Sequence, residues 1–547
     1  MIPNNNEKPN FLDRGTLTAF ALILLFWFGW SKFMEQPQSS PQSAPQATEV
    51  AKSIPSAEQK VLENNPSADK TAAKLVVEDV DPEKTLLFED EGFSFQVSSR
   101  GMGVNNVDVK KYKTRDNKPI ILGAVKNDYP FSTSFLDSTT PINFQLEKRA
   151  PNAFFGRASV AGMVIEKTIK VDSSKYTLDI QVKVTGNLEA FKGLTTFLSE
   201  EMHPDMNRSF LDSSAQEYQD WFLLHENNQT RKIIAANEGI DLNEQNVSIA
   251  ALSSHYFTLA IADHSDLQPK FSSKVSPASS VISGKLTYQP LSRGDVFSLR
   301  FLAYAGPKSF ETLSGADDNL NQVIDYGFFG ALGKPILWLL KFLQTIFANW
   351  GVSIVVLTII VRVLVLPFNA YAFRSMKALQ RIQPEMNRIK ERYKDKPSEA
   401  KLQMNQEIMQ LMKANNASPV GGCLPTLLQL PVFFALYQVL GQSIELYKAP
   451  FIFWIGDLSS KDPYFVLPVL MGITMYLQQK LTPTTMDPQQ AKILQWMPVI
   501  FSVFMISLPS GLTLYIFVST LFGIIQQYYF MRDKPTQAAG RVKEAKA

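Results

Sequence analysis

Gly351-Val-Ser-Ile-Val-Val-Leu-Thr-Ile-Ile-Val-Arg-Val-Leu-Val-Leu-Pro367 is the stretch on which the reading of this chain turns. It is a near-continuous apolar run, long enough for most of a bilayer crossing, with one arginine, Arg362, inside it. A cation near the middle of a spanning helix costs at least about 2.5–3.5 kcal/mol on insertion scales. It persists only by facing a protein interior or a water-filled cavity, or by snorkelling to the interface. Arg362 stands five residues before Pro367, roughly 7–8 Å of helix rise. A snorkelling anchor and a wet, positively charged groove within the membrane are therefore both open readings.

Upstream, Phe328, Phe329, Leu332, Ile336, Leu337, Leu339, Leu340, Leu343 and Ile346 recur at mostly helical spacing, interrupted by Lys334 and Lys341. This predicts an amphipathic helix over 325–349, lying at the membrane interface and leading into the run that holds Arg362. From 75 to 320 the pattern is short β-like runs between turn residues. Phe93-Ser-Phe-Gln-Val97 alternates apolar and polar, Tyr176 to Val184 does so for nine residues, and Val296 to Tyr304 ends the series before Gly306-Pro307. These runs predict an antiparallel all-β sandwich with one solvated face, closed by a short helix between Ser309 and Leu320. Residues 35–74 carry Pro37, Pro41, Pro45, Pro55 and Pro66 among small polar residues and read as a disordered linker. Leu17 to Trp30 is apolar and uncharged, and the bulky Trp30-Ser-Lys-Phe-Met34 that follows suits signal cleavage poorly. Residues 1–34 therefore read as a retained N-terminal transmembrane anchor.

Downstream of Pro367 the chain turns polar. Leu379, Ile382, Met386, Ile389 and Tyr393 are spaced 3, 4, 3 and 4, the seam of a coiled-coil helix. Asp395-Lys-Pro-Ser398 makes a turn, and Met404, Ile408 and Leu411 mark one face of a second helix. Together they predict a helical hairpin over 372–416. Its outer face is either simply solvated or a docking surface, with Arg381, Arg388, Lys390, Arg392 and Lys394 as the candidate docking cations. Four more apolar runs follow, Leu424–Leu440, Tyr464–Leu477, Ile493–Leu508 and Leu512–Ile525. With the run around Arg362 they complete a five-helix transmembrane core over 350–530. Ile493–Leu508 spans only about 24 Å against a hydrocarbon core of about 30 Å. Gln429, Gln438, Gln478 and Gln479 are polar groups that need partners at that depth.

Loop charges set the orientation. Ten lysines and arginines from Arg374 to Lys413 face five acidic residues, and the basic tail at 531–547 has Arg532, Lys534, Arg541, Lys543 and Lys546 against Asp533 and Glu544. The loop at 441–463 holds Lys448 and Lys461 against Glu445, Asp457 and Asp462. By the positive-inside rule the hairpin and tail are cytoplasmic. With six spans the N-terminus is cytoplasmic too, and the β domain lies beyond the inner membrane.

A chain of 547 residues with 45% hydrophobic content exceeds one core, and a net charge of +3 is too slight to argue for nucleic acid. The one cysteine, Cys423, has no disulfide partner. His203, His225, His255 and His264 form no ligand pair. Gly330-Ala-Leu-Gly-Lys334 has Pro335 where a phosphate loop needs Ser or Thr, and Gly101-Met-Gly103 lacks the third glycine of a dinucleotide loop. No enzymatic activity, cofactor or metal is expected.

Asn349-Trp-Gly-Val-Ser-Ile followed by Arg362, then Asn416 to Tyr437 with its Gly421-Gly-Cys-Leu-Pro425, closely resembles the YidC membrane protein insertase family. So do Ala449-Pro-Phe, Trp454-Ile-x-Asp-Leu458, Pro483-Thr-Thr485 and Met497-Pro-Val-Ile-Phe501 through Pro509-Ser-Gly-Leu512. The likeness covers roughly 325–530, and the anchor, linker and β domain fit the family's Gram-negative form. The resemblance implies a periplasmic β-supersandwich and a core of five membrane helices around an arginine-bearing groove open to cytoplasm and lipid. It places the groove arginine at Arg362 and substrate contacts at Thr358 and around Tyr515, though Ile516 follows Tyr515 where relatives can carry a second tyrosine; Gln429, a polar group at membrane depth, is counted as a groove residue with them. It also implies nascent inner-membrane proteins as substrates, membrane lipids around the core, and partnership with the Sec translocon and with ribosomes through hairpin and tail.

A wet groove would shorten the hydrocarbon that a polar tail must cross, and short spans would thin the bilayer locally. Arg362 would attract acidic substrate residues, and burial of the incoming apolar helix in lipid would supply the driving force without nucleotide. The rival reading is a transporter or channel for a small anion, with Arg362 as its binding charge. Against it, the spans show no internal repeat. A scaffold that merely anchors the β domain would not need five spans after it.

Overall fold

The alternating run at Tyr176–Val184 becomes a strand near the middle of a nine-stranded sheet. The structure, a computed structural model, describes residues 82–532 apart from 127, 139, 203–217, 227, 235–238, 276–278, 292–293, 395, 398–399, 416, 418–423 and 483–487. The expected anchor over 1–34, the linker over 35–74, His203, Cys423, Pro483-Thr-Thr485 and the tail beyond Arg532 lie outside the described residues.

The strands β1 (Thr85–Glu89), β2 (Ser94–Ser98), β3 (Val104–Lys113) and β4 (Pro119–Leu122) form a four-stranded meander. They are followed by β5 (Thr133–Phe135), β6 (Gln145–Ala150), β7 (Ala153–Val160), β8 (Met163–Asp172), β9 (Thr177–Gly186) and β10 (Leu194–Glu201). Next come β11 (Gln219–Leu224), β12 (Gln229–Ile234), β13 (Ile240–Glu244) and β14 (Ile249–Ser253). The last are β15 (Phe257–Asp263), β16 (Lys270–Val275), β17 (Val281–Tyr288) and β18 (Val296–Pro307). Nine of them order as β12-β11-β14-β15-β18-β9-β8-β7-β6 and five as β13-β16-β17-β10-β5, with antiparallel pairing throughout.

The period of two explains the core. Leu178, Ile180, Val182 and Val184 of β9 and Phe297, Leu299, Phe301 and Ala303 of β18 are all buried. In β8 the same inward row runs Ile165, Lys167, Ile169, so a lysine occupies a core position. Its Nζ donates to the carbonyls of Gly101 (2.9 Å) and Phe131 (2.6 Å) and to Thr133 Oγ1 (2.9 Å). Burial pushes the Lys167 ammonium well below the usual lysine range.

Helix α1 (Phe310–Ala316) closes the β region, and α2 (Gly330–Phe347) opens the helical one. Then come α3 (Trp350–Arg392), α4 (Ala400–Ala414), α5 (Leu424–Gln442), α6 (Val466–Leu481), α7 (Pro488–Phe504) and α8 (Ser510–Arg532). The helix expected over 325–349 begins only at Gly330 and is apolar on two sides. Ile336, Leu340 and Leu343 pack into the helical core, whereas Trp338, stacked on Phe342 at 5.9 Å, and Ile346 stay exposed.

Asn349 starts α3: its Oδ1 accepts from the Val352 N–H at 3.0 Å and its Nδ2 donates to the Phe451 carbonyl. Gly351 follows because a Cβ there would fall 2.0 Å from the Phe451 ring. Pro367 does not end this helix. α3 runs 43 residues through Pro367 and Pro384, so the first arm of the hairpin is an extension of the spanning helix. A proline removes one backbone hydrogen bond, and α8 grips α3 on either side of it, at Arg362 and at Asn369. The seam residues Leu379, Ile382, Met386 and Ile389 pack on Ile408 and Met412 of α4 in a small core of their own.

Among the described residues two helices are long and apolar enough to cross a membrane, Trp350–Ala370 and Ser510–Phe530. α6 and α7 have 16 and 17 residues. The segment between α5 and α6 pins both neighbours. Ser510 Oγ donates to the carbonyls of Asp457 (2.9 Å) and Ser460 (2.7 Å), and Gly511 N–H donates to that of Leu458. On its other side Lys448 Nζ donates to Thr114 O (2.8 Å) and Asn117 Oδ1 (2.6 Å) in the β3–β4 turn, and at the end of α5 the Gly441 carbonyl accepts from His255 Nε2 at 2.6 Å.

Candidate functional site

α3 and α8 lie side by side and run in the same direction, in constant register. Arg362 meets Ser519, Asn369 meets Gln526 and Phe373 stacks on Phe530, each pair 157 positions apart. The α3 positions are seven and four residues apart, the spacing of a left-handed helix seam. The opposite face of α3 leaves Ile359, Val363, Leu364 and Phe368 exposed, as a lipid-facing side should.

Arg362 donates from Nε to Ser519 Oγ at 2.8 Å. Ser519 also lies against the Tyr515 hydroxyl, and Gln429 Nε2 donates to that hydroxyl. Three of the four expected groove residues, Arg362, Gln429 and Tyr515, are thus joined in one polar chain through Ser519. Thr358 stands apart. It is fully buried, and its hydroxyl donates to the Ile354 carbonyl of its own helix at 2.6 Å, a common way to satisfy a hydroxyl within a helix.

Gly523, one turn beyond Ser519, keeps this place open. A Cβ there would lie 2.8 Å from Gln478 Nε2 and 3.7 Å from Arg362 Nη1, so Gln478 of α6 reaches the same space as the guanidinium. Further along, Gln527 Nε2 donates to Thr482 Oγ1 at 3.2 Å. Ser519, Gly523, Asn369 and Gln526 were not among the expected site residues. A signal existed: positions 515, 519, 523 and 526 interrupt an apolar span at helical spacing. A lone serine or glycine in such a run is usually a packing residue, so only the facing helix singles them out.

The expected docking cations Arg381, Arg388, Arg392 and Lys394 are exposed on the outer side of the hairpin, and Lys390 is half-buried. Arg392 pairs across the hairpin with Glu407 at 2.9 Å. Among the described residues no group of three or more His, Cys, Asp or Glu could hold a metal ion.

Two family models match the chain in series. The YidC periplasmic domain covers residues 86–339, and the 60Kd inner membrane protein family covers residues 342–537. A membrane protein insertase YidC of Geotalea uraniireducens is 32% identical over 476 residues, 83% of this chain and 88% of that protein. The one of Geobacter metallireducens is 29% identical over 547 residues, 95% of this chain and 99% of its own length. That of Geobacter sulfurreducens is 34% identical over 390 residues, 70% and 71% of the two chains. With such identity across nearly the full length of a relative, this chain belongs to the YidC membrane protein insertase family.

Proposed function

We propose that this chain is a membrane protein insertase of the bacterial inner membrane. It receives the polar tail of a nascent protein in a hydrophilic groove between α3 and α8 while the substrate's apolar helix passes into lipid. One observation carries the reading. A cation within a spanning helix meets, among the described residues, a neutral hydroxyl rather than a carboxylate, which leaves its charge available to a passing acidic group. The insertase name of the relatives above supports the same reading, and the small-anion transport alternative finds no support in them.

In this reading Arg362, Gln429 and Tyr515 line the groove, and Thr358, one helical turn before Arg362, is the fourth contact although its hydroxyl is held by its own helix. The segments are an anchor at 1–34, a linker at 35–74, a periplasmic supersandwich at 75–320, an interfacial segment at 325–349 that holds α2, a five-helix core at 350–530 with its hairpin at 372–416, and a basic tail at 531–547. Both termini are cytoplasmic. The hairpin cations Arg381, Arg388, Lys390, Arg392 and Lys394 and the basic tail dock ribosomes, and the chain works alone or with the Sec translocon. The chain performs no enzymatic chemistry and needs no cofactor.

Reconstitution in liposomes tests the proposal. Vesicles holding only this protein should convert an added short single-span protein to a protease-protected form and should take up no small anion. Anion uptake without insertion would overturn it. For the orientation, a reporter after Lys546 should be active only in its cytoplasmic form and one near Asn187 only in its exported form.

A further inference from the structure

Asn369 and Gln526 form the second rung between α3 and α8, about 10 Å beyond the Arg362–Ser519 rung at 1.5 Å per residue. Both side chains are buried, at 2% and 6% exposure. Asn369 Nδ2 donates to Gln526 Oε1 at 3.5 Å, a long contact. Asn369 Oδ1 and Gln526 Nε2 have no partner among the described residues. Exchanging O and N in both amides leaves the same complement, one free acceptor and one free donor. Buried amides left in this way are destabilising, and apolar side chains would fill the positions better in a span. Below them Phe373 stacks on Phe530 at 5.4 Å and closes the seam with an aromatic pair.

We infer that the Asn369–Gln526 rung is a binding site for the peptide backbone of the inserting chain. One acceptor beside one donor is the complement of one extended residue, whose own N–H and C=O point to the same side of the chain as they do in a β-ladder. Such a site reads no side chain and carries no charge. It holds any polar tail that passes, whereas Arg362 favours acidic ones. The two rungs then divide the work: the amides replace water on the substrate backbone inside the seam, and the guanidinium draws negative charge further along it. This inference rests on the insertase reading, because it needs a chain to enter the groove.

The test uses the full-length protein in proteoliposomes and two uncharged substrate tails of equal length. One is Ser/Gly, and the other has proline at alternate positions and so lacks half of its backbone N–H donors. The unmodified protein should insert the Ser/Gly tail about 3- to 10-fold faster, the effect of one or two hydrogen bonds. Asn369→Leu with Gln526→Leu should abolish that preference, and the exchanged pair Asn369→Gln with Gln526→Asn should restore it. A preference that survives the double leucine variant overturns the inference. So does equal insertion of both tails by the unmodified protein, or an equal slowing of both tails in the variant, which is what a purely structural rung predicts. Arg362→Ala with acidic tails, run alongside, separates the two readings. Loss there with no change at the amide rung sinks only this inference, and no loss at either sinks the groove itself.

Discussion

Arg362 and Ser519 face each other across two parallel helices, Nε to Oγ at 2.8 Å, and that contact uses one of the five N–H donors of the guanidinium. A snorkelling arginine would reach for the interface. This one is instead tied to a neighbouring helix within the span.

The first concerns charge. A unit pair at 4 Å interacts by up to about 4 kcal/mol in an intermediate dielectric, and water in the groove will reduce it. Arg362→Ala should slow insertion in proportion to the number of aspartates in the tail, by roughly tenfold for two of them, while neutral tails change little. Arg362→Lys should retain much of the rate, since a point charge suffices for a transient contact. Insertion of matched tails with zero, one or two aspartates, normalised to protein level, is the measurement. Equal losses across the series would make Arg362 a structural residue.

The second concerns Gly523. A Cβ there meets the end of the flexible Gln478 side chain at 2.8 Å, so Gly523→Ala should be tolerated with a small shift of that amide. Gly523→Leu should fill the space beside Arg362 and lower insertion of neutral and acidic tails alike, by about tenfold or more. Cross-linking from a substrate tail to Arg362's surroundings reports it directly. Undiminished cross-linking in the leucine variant would show that the substrate does not use this space.

A third prediction lies in the β region. Burial pushes the Glu200 carboxyl up to about 7, against the bonds it accepts from the Gly123 and Glu201 N–H groups. The folded state then binds the proton more tightly than the unfolded one. Its stabilisation is complete below the ordinary pKa of 4.5 and is lost as pH rises through about 7. Glu200→Gln keeps an acceptor for Gly123 without the charge. The unfolding free energy of the variant should match that of the parent protein near pH 4 and exceed it above pH 8, by roughly 3 kcal/mol at most. A parent and variant with parallel pH profiles would place the titration elsewhere.

The fourth tests the tie between the β strands and the helices. Lys448→Met removes two hydrogen bonds to the β3–β4 turn, worth about 1–3 kcal/mol together because the donor is charged. Hydrogen exchange should quicken at Thr114 to Lys118 and stay unchanged in β8 and β9. Unchanged exchange at the turn would mean that Arg115 and Asp457, 3.6 Å apart, hold the contact alone.

Much was legible in the chain before any fold. Leu178, Ile180, Val182 and Val184 announced a strand, and Leu379, Ile382, Met386 and Ile389 announced a helix seam, because burial selects apolar residues at the period of the backbone. Arg362 was legible for the opposite reason, since a charge in an apolar run is too costly to be accidental. What the helix lengths would be was less plain. Pro367 looked like an end, yet contacts with α8 on both sides carry α3 through it. Partnership was not legible at all. Lys167 stands in the apolar row of an alternating strand, and only the carbonyls of Gly101 and Phe131, far away in sequence, make its burial tolerable. Ser519, Asn369 and Gln526 are ordinary residues one by one. Their roles arise from the register of two helices 157 positions apart, and a one-dimensional pattern records the period of each helix but not the rotation that sets one against the other.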